Sequence, residues 1–207
     1  MAISSIQSLL ADAFEKRYGV PAFNVFDDVS LKGVIAGAEE RKAPVIVQVS
    51  VKTVKYWGLK PFTDLLMNQA REASVPVTIH LDHCPEPELA KGCLLAGWSS
   101  VLFDGSSYSL EENRRITGEI CRLARETGGG VEGELIAVGG VEDGVGQDSE
   151  GELLPVPAVV EFIRETGIDC YAPAIGTAHG LYSAAPKIRY ERVREILEHV
   201  RIPMVVH

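Results

Sequence analysis

Short apolar runs alternate with longer amphipathic segments along the chain, and this alternation limits the possible folds more than any other feature. The runs show little hydrophobic–polar alternation, which is typical of strands buried on both faces of a parallel sheet. The predicted strands are 21–26, 45–50, 77–83, 100–106, 131–135, 170–176 and 204–207. The predicted helices are 5–17, 31–41, 62–73, 86–96, 110–127, 158–166 and 190–199.

Regular strand-then-helix units predict a parallel sheet with right-handed crossovers. The strands recur roughly every 30 residues, the size of one βαβ unit. Seven such units favour an α/β fold of the TIM (β/α)8 barrel type, and a flavodoxin-like doubly wound sheet is the alternative. We predict one barrel domain over residues 1–207 that stops after its seventh strand, at His207, and we expect it to be C-terminally incomplete.

The charge balance narrows the classes of partner. The formal net charge is −9 over 207 residues, which argues against a nucleic-acid or anionic-membrane surface. We also find no signal-peptide pattern and no apolar run of the roughly 18 residues that span a bilayer. The cysteines lack C-x-x-C spacing, so we expect reduced thiols and a cytoplasmic protein. The four cysteines are Cys84, Cys93, Cys121 and Cys170.

Histidines stand at the ends of three different predicted strands. In barrel enzymes the active-site residues come from the carboxyl ends of the strands and the loops that follow. Of the five histidines, His83, His179 and His207 occupy such positions. Three converging imidazoles make a catalytic zinc site with an open fourth position, so we predict one here. Three unrelated strand-end histidines are the alternative.

Acidic residues surround these histidines in the sequence. Asp82 precedes His83 and can act as an acid/base group or as a carboxylate that orients a histidine. His80, two residues before Asp82, is predicted to be a hydrogen-bonded histidine of the core or one that supports the ligands, with a ligand role as the alternative. The glycine-rich segment 138–148 carries Glu142 and is interpreted as a mobile lid or as a solvated acidic loop. No lysine lies within a predicted strand, which disfavours a Schiff-base mechanism.

Several tracts resemble class II ketose-bisphosphate aldolases, and the resemblance extends over the whole sequence. The tracts are VPAFNVF (20–26), HLDHC (80–84), SSVLFDGSSYSLEEN (99–113), VEGELIAVGGVEDGV (131–145) and AIGTAHGLYSAAPK (174–187). The last tract is more similar to the tagatose-bisphosphate branch than to the fructose-bisphosphate branch. In the fructose branch a lysine usually stands at the position of Ser183.

The resemblance implies the catalytic roles. It makes His83, His179 and His207 the zinc ligands. It assigns to Asp82 the proton exchange with the substrate's C4 oxygen, and to Glu142 the proton on the dihydroxyacetone-phosphate carbon.

The resemblance also implies supporting roles. Asp104 and Glu134 match acidic residues that can hold the metal in an alternate position. Asn24 and Ser50 match substrate contacts, and Gly180 matches a backbone contact to phosphate. A glycine-containing phosphate motif and an eighth strand would follow the last residue in the family pattern.

The implied activity is reversible, zinc-dependent cleavage of tagatose- or fructose-1,6-bisphosphate to dihydroxyacetone phosphate and glyceraldehyde 3-phosphate. The resemblance further implies a monovalent cation, Na⁺ or K⁺, near the phosphate, and a homodimer or homotetramer. A zinc-dependent hydrolase and a non-catalytic aldolase-like subunit are the alternatives.

Overall fold

A curled parallel sheet of six strands forms the centre of the molecule, and its strands lie side by side in the order in which they occur along the chain. The computed structural model describes residues 3–136, 140–142, 145–147, 153–180 and 185–207, with only the backbone of 140–142 and 145–147. The sheet strands are β1 (Ala22–Asn24), β2 (Val45–Ser50), β3 (Val77–Cys84), β4 (Ser100–Asp104), β5 (Gly130–Glu134) and β8 (Cys170–Ala172). A separate antiparallel pair consists of β6 (Gly140–Glu142) and β7 (Val145–Gln147).

The helices are α1 (Ile6–Lys16), α2 (Asp28–Arg41), α3 (Val51–Trp57), α4 (Leu59–Glu72), α5 (Pro87–Leu95), α6 (Leu110–Thr127), α7 (Val156–Thr166) and α8 (Tyr190–His199). All seven predicted helices are present. Two of them begin about one turn earlier than predicted, at Asp28 and Leu59. Helix α3 was not predicted, because it spans only seven residues directly after β2 and is too short to show helical periodicity.

Side-chain caps determine where several helices begin. The Asp27 carboxylate accepts from the Ser30 backbone N–H at 2.7 Å, and the Ser30 hydroxyl accepts from the Asp27 N–H at 3.1 Å. This reciprocal cap satisfies two N–H groups that lack a helical partner, so α2 begins before its apolar pattern does. Ser109 caps α6 in the same position, accepting from the Glu112 N–H at 3.2 Å.

The core lies between the sheet and the helices that cross over it. All eight residues of β3 are buried, which explains the lack of hydrophobic–polar alternation in that run. Trp98, 1% exposed, donates its indole N–H to the Thr63 hydroxyl at 2.8 Å. A Cβ at Gly133 would lie 2.8 Å from Ile168 Cδ1, so the glycine permits close packing beside β5.

The predicted seventh strand is a single parallel bridge between Met204 and Tyr171. The Tyr171 N–H donates to the Pro203 carbonyl at 3.1 Å, and the Val205 N–H donates to the Tyr171 carbonyl at 2.9 Å. A cleft of about 550 Å³ lies between this segment and β1, and residues of α1 line it. The α/β class is confirmed and the sheet is consistent with a TIM-like half-barrel, while closure by eight strands stays a prediction.

Among the described residues, no helix combines the length and the apolar character that crossing a membrane requires.

Candidate metal centre and active site

Three histidines from distant parts of the sequence meet at the carboxyl ends of the strands. His83 lies at the end of β3, His179 follows β8, and His207 ends the segment bridged to β8. The ring centroids are 4.8 Å apart for His83–His179, 4.5 Å for His83–His207 and 5.9 Å for His179–His207. One ring nitrogen from each lies within 4.8 Å of the others, which is a spacing that one metal ion can bridge.

A β-bulge places Asp82 and His83 at the same site. Consecutive residues of a regular strand point to opposite faces of the sheet. Here the register with β4 shifts between Leu81 and Cys84, which pair with Val101 and Phe103, so two residues of β3 oppose one of β4. His83 has φ +36°, a left-handed value that is strained for a residue other than glycine. Strain and bulge together bring both functional side chains of the HLDHC tract to the sheet end.

Two buried carboxylates flank one side of the His83 ring. Its Nδ1 is 3.3 Å from Glu134 Oε2 and 3.8 Å from Asp104 Oδ2. Burial by itself lowers the pKa of His83, but these two carboxylates outweigh it and raise the pKa to about 11. His83, Asp104 and Glu134 also form a second group whose ligand atoms lie close enough to share an ion.

His207 is held by a different carboxylate. Its Nε2 lies 2.9 Å from Glu132 Oε1, and its Nδ1 lies 3.0 Å from His83 Nε2. Burial opposes the charge on His207, yet the hydrogen bond to Glu132 raises its pKa. Both shifts favour the protonated imidazole, most strongly at His83.

Asp82 directs one carboxylate oxygen toward the histidines. Its Oδ2 accepts from Asn24 Nδ2 at 3.0 Å, and its Oδ1 lies 4.0 Å from His83 Nε2. Within the described part of the chain, Oδ1 has no hydrogen-bond partner. Burial favours the protonated acid, but the neighbouring histidines, His83 above all, lower the pKa of Asp82, so it is ionised at neutral pH. An ionised oxygen that accepts no hydrogen bond from the described residues can accept a proton from a molecule bound beside the histidines.

A family model described as class-II fructose-bisphosphate aldolase matches residues 4–207. The chain belongs to the class II fructose-bisphosphate aldolase family.

Curated proteins that are similar to this class II aldolase are also named aldolases. The chain is 34% identical over 208 residues to a sulfofructosephosphate aldolase of Alkalicoccus urumqiensis, and the match spans 100% of this chain and 72% of that protein. It is 37% identical over 211 residues to a fructose-bisphosphate aldolase of Geobacillus stearothermophilus, spanning 100% of this chain and 73% of that protein. Aldolases are aldehyde-lyases, so the predicted enzyme class is confirmed.

Solved aldolase structures have the same fold. The YdjI aldolase from Escherichia coli K12 superposes with a TM-score of 0.85 at 31% identity, covering 99% of this chain and 72% of that one. A putative fructose-1,6-biphosphate aldolase from Coccidioides immitis gives 0.90 at 32% identity, covering 98% and 72%.

Two other predicted site residues of this aldolase, Ser50 and Gly180, lie at the same end of the sheet. The Ser50 hydroxyl caps α3, accepting from the Thr53 N–H at 3.4 Å, so it has a structural role whatever it does with substrate. Gly180 follows His179 with φ +84°, and no described residue would lie within 4 Å of a Cβ at its position. The side chain of Glu142 lies outside the described residues, and its role stays a prediction.

Sequence reasoning assigned no role to Glu132. It lies on β5 two residues before Glu134 and therefore faces the same side of the sheet. The spacing of two residues within a predicted strand was the sequence signal that could have placed Glu132 beside Glu134 at the site. His80 is buried as predicted, with Nδ1 2.8 Å from the Ser100 hydroxyl.

Proposed function

We propose that this protein is a zinc-dependent aldolase that reversibly cleaves a phosphorylated ketose, tagatose- or fructose-1,6-bisphosphate, into dihydroxyacetone phosphate and glyceraldehyde 3-phosphate. The observation that carries the proposal is the pair of imidazole nitrogens that face each other at 3.0 Å beside the ionised Asp82.

The donor set fits a divalent cation. Glu132 accepts from His207 Nε2, and the acidic pair Asp104 and Glu134 faces His83 Nδ1. In the neutral rings the lone pairs are therefore on His207 Nδ1 and His83 Nε2, which face each other. Two lone pairs at this distance repel unless a proton or a cation lies between them. Tetrahedral zinc holds nitrogen ligands about 3.4 Å apart, given bonds of about 2.0–2.1 Å.

His83, His179 and His207 would hold the zinc. When bound, the ion supplies Lewis acidity that polarises a ketose carbonyl and stabilises the negative charge that develops as a carbon–carbon bond breaks.

Asp82 is the proposed base for the C4 hydroxyl. Its Oδ1 accepts the hydroxyl proton while the C3–C4 bond breaks, and it returns the proton in the condensation direction. Asn24 fixes the other carboxylate oxygen at 3.0 Å, so the reactive oxygen keeps its direction. Glu142 is the proposed donor of the proton that completes dihydroxyacetone phosphate.

The substrate class rests on the family and on its named relatives, one a fructose-bisphosphate and one a sulfofructosephosphate aldolase. Both names describe phosphorylated ketoses. The backbone at Gly180 is the proposed phosphate contact, with Na⁺ or K⁺ nearby. The resemblance of tract 174–187 to the tagatose branch supports tagatose-1,6-bisphosphate as the first substrate to test.

The first experiment is a coupled triose-phosphate assay with both C4 epimers. We expect triose phosphates from at least one epimer, loss of activity after chelation, and recovery with Zn²⁺ or Co²⁺. Release of inorganic phosphate without triose phosphate would favour the hydrolase alternative. Cleavage that survives complete metal removal would contradict the proposal.

The second experiment replaces Asp82 with Asn. Asp82→Asn keeps the side-chain shape but removes the base, so kcat should fall by about 10²–10⁴-fold. Zinc content should stay at the wild-type level, because Asp82 is not a proposed ligand.

The matched control for this variant is Asp169→Asn, because Asp169 accepts from the Val131 N–H at 2.8 Å, away from the histidines. Wild-type turnover by Asp82→Asn would remove Asp82 from the acid/base role.

A further inference from the structure

We infer that Glu132 is a positioning residue that fixes which nitrogen of His207 binds the metal. Glu132 holds the Nε2–H of His207, so that Nδ1 is the metal-binding atom, whereas His83 binds through Nε2. This inference rests on the proposed function, since it concerns the zinc site assigned there.

The contact between Glu132 and His207 has the geometry of a strong hydrogen bond. Glu132 is 4% exposed, and its Oε1 lies 2.9 Å from His207 Nε2. An ionised carboxylate only accepts hydrogen bonds, so the hydrogen must be on Nε2. The remaining ring nitrogen, Nδ1, then carries the lone pair and faces His83 at 3.0 Å.

Buried polar side chains also contact the other carboxylate oxygen of Glu132. Its Oε2 lies 3.7 Å from His80 Nε2 and 3.9 Å from Cys170 Sγ. His80 is fixed in turn at Nδ1, 2.8 Å from the Ser100 hydroxyl. With a hydrogen on Nε2, His80 attracts the carboxylate, and its Nδ1 accepts from Ser100. This series of contacts from Ser100 to His207 therefore restrains rotation of the carboxylate.

The same strand determines the opposite choice at His83. Glu134 follows Glu132 by two residues on β5 and lies beside His83 Nδ1. One strand thus presents two carboxylates to two different histidines, each on the side away from the other ring. Carboxylates in this position orient a metal-binding imidazole and increase its basicity, and their removal lowers metal affinity by about 10–100-fold.

The direct test is a crystal structure of the zinc-loaded wild-type protein. We expect zinc about 2.0–2.1 Å from His207 Nδ1 and from His83 Nε2. Zinc on Nε2 of His207 would overturn the inference, because that nitrogen then has no hydrogen for Glu132. This readout needs no variant and does not depend on activity.

The second test is Glu132→Gln, with zinc affinity measured by competition with a chelator. Glutamine keeps the size and an acceptor oxygen, and its amide can donate to His80 Nε2 if the His80 hydrogen moves to Nδ1. We expect zinc to bind about 10–100-fold more weakly. The Asp169→Asn control should bind zinc like the wild type.

The outcomes separate this inference from the proposed function. Wild-type zinc affinity in Glu132→Gln would overturn the positioning role and leave the proposed function intact. Failure of the wild-type protein to bind zinc at all would overturn both.

Discussion

His83 and His179 face the same space but are held by opposite kinds of structure. His83 is 8% exposed, at the end of a buried strand, with Asp104 and Glu134 beside it. His179 is partly exposed and follows β8 in a stretch without regular secondary structure. Burial, together with repulsion from His83 and His207, lowers the pKa of His179 to about 4, whereas that of His83 is raised to about 11.

The difference shows that the three proposed ligands are not equivalent. At neutral pH the metal-free protein holds a proton on His83, and His179 is neutral and ready to bind. A metal ion must therefore displace the proton of His83. Attraction between the ion and the buried Asp104 and Glu134 then replaces part of the attraction that these carboxylates had to the protonated ring. At His179 the ion meets an imidazole that is already deprotonated.

The largest expected effect comes from replacing His83 or His179 with Asn. Asn tolerates the left-handed φ of +36° at His83, so the backbone can be retained. Both His83→Asn and His179→Asn should lose zinc and aldolase activity. Only His83→Asn should also destabilise the metal-free protein, by about 3 kcal/mol, because it leaves buried carboxylates without a cationic partner.

Urea denaturation of both metal-free variants, followed by circular dichroism, measures this difference. Equal destabilisation by the two substitutions would mean that His83 does not stabilise the metal-free protein more than His179 does. Zinc retained at wild-type affinity by either variant would remove that histidine from the ligand set.

A smaller effect is the release of protons on zinc binding at pH 8. A histidine of ordinary pKa is neutral at that pH and releases none. Because the pKa of His83 is raised to about 11, zinc must displace its proton, so affinity rises with pH between 7 and 9. The rise is up to about tenfold per pH unit for each proton displaced.

Calorimetric titration in buffers of different ionisation enthalpy counts these protons. His199→Gln is the matched control, since His199 is exposed on α8 and should leave the count unchanged. Zinc binding at pH 8 without proton release would show that the acidic groups around His83 do not hold its proton.

Much of the fold follows from local patterns in the sequence. The buried runs of β2 to β5 and the periodic helices were predicted within a few residues, because each has a strong composition or a clear end signal. Helix α3 was missed, since its start depends on the Ser50 cap rather than on periodicity. The pairing that brings 204–207 beside β8 is a long-range contact that no local pattern specifies.

The sequence places His83, His179 and His207 at predicted strand ends, and the structure brings their rings together there, while their role as metal ligands stays a prediction. The details within that site were not predictable. A regular strand would turn Asp82 and His83 to opposite faces, and no residue in the HLDHC tract signals the bulge that prevents this. The role of Glu132 depends on which ring nitrogen it faces, and that is set by packing.

The left-handed backbone at His83 has a consequence for attempts to engineer this protein. Such a conformation costs about 1–2 kcal/mol in a residue with a Cβ, and glycine avoids most of that cost. Glycine at this position would also leave Asp104 and Glu134 without the imidazolium, a loss of about 3 kcal/mol that exceeds the relief of strain. Selection for heat resistance would therefore retain the imidazole and direct stabilising changes elsewhere.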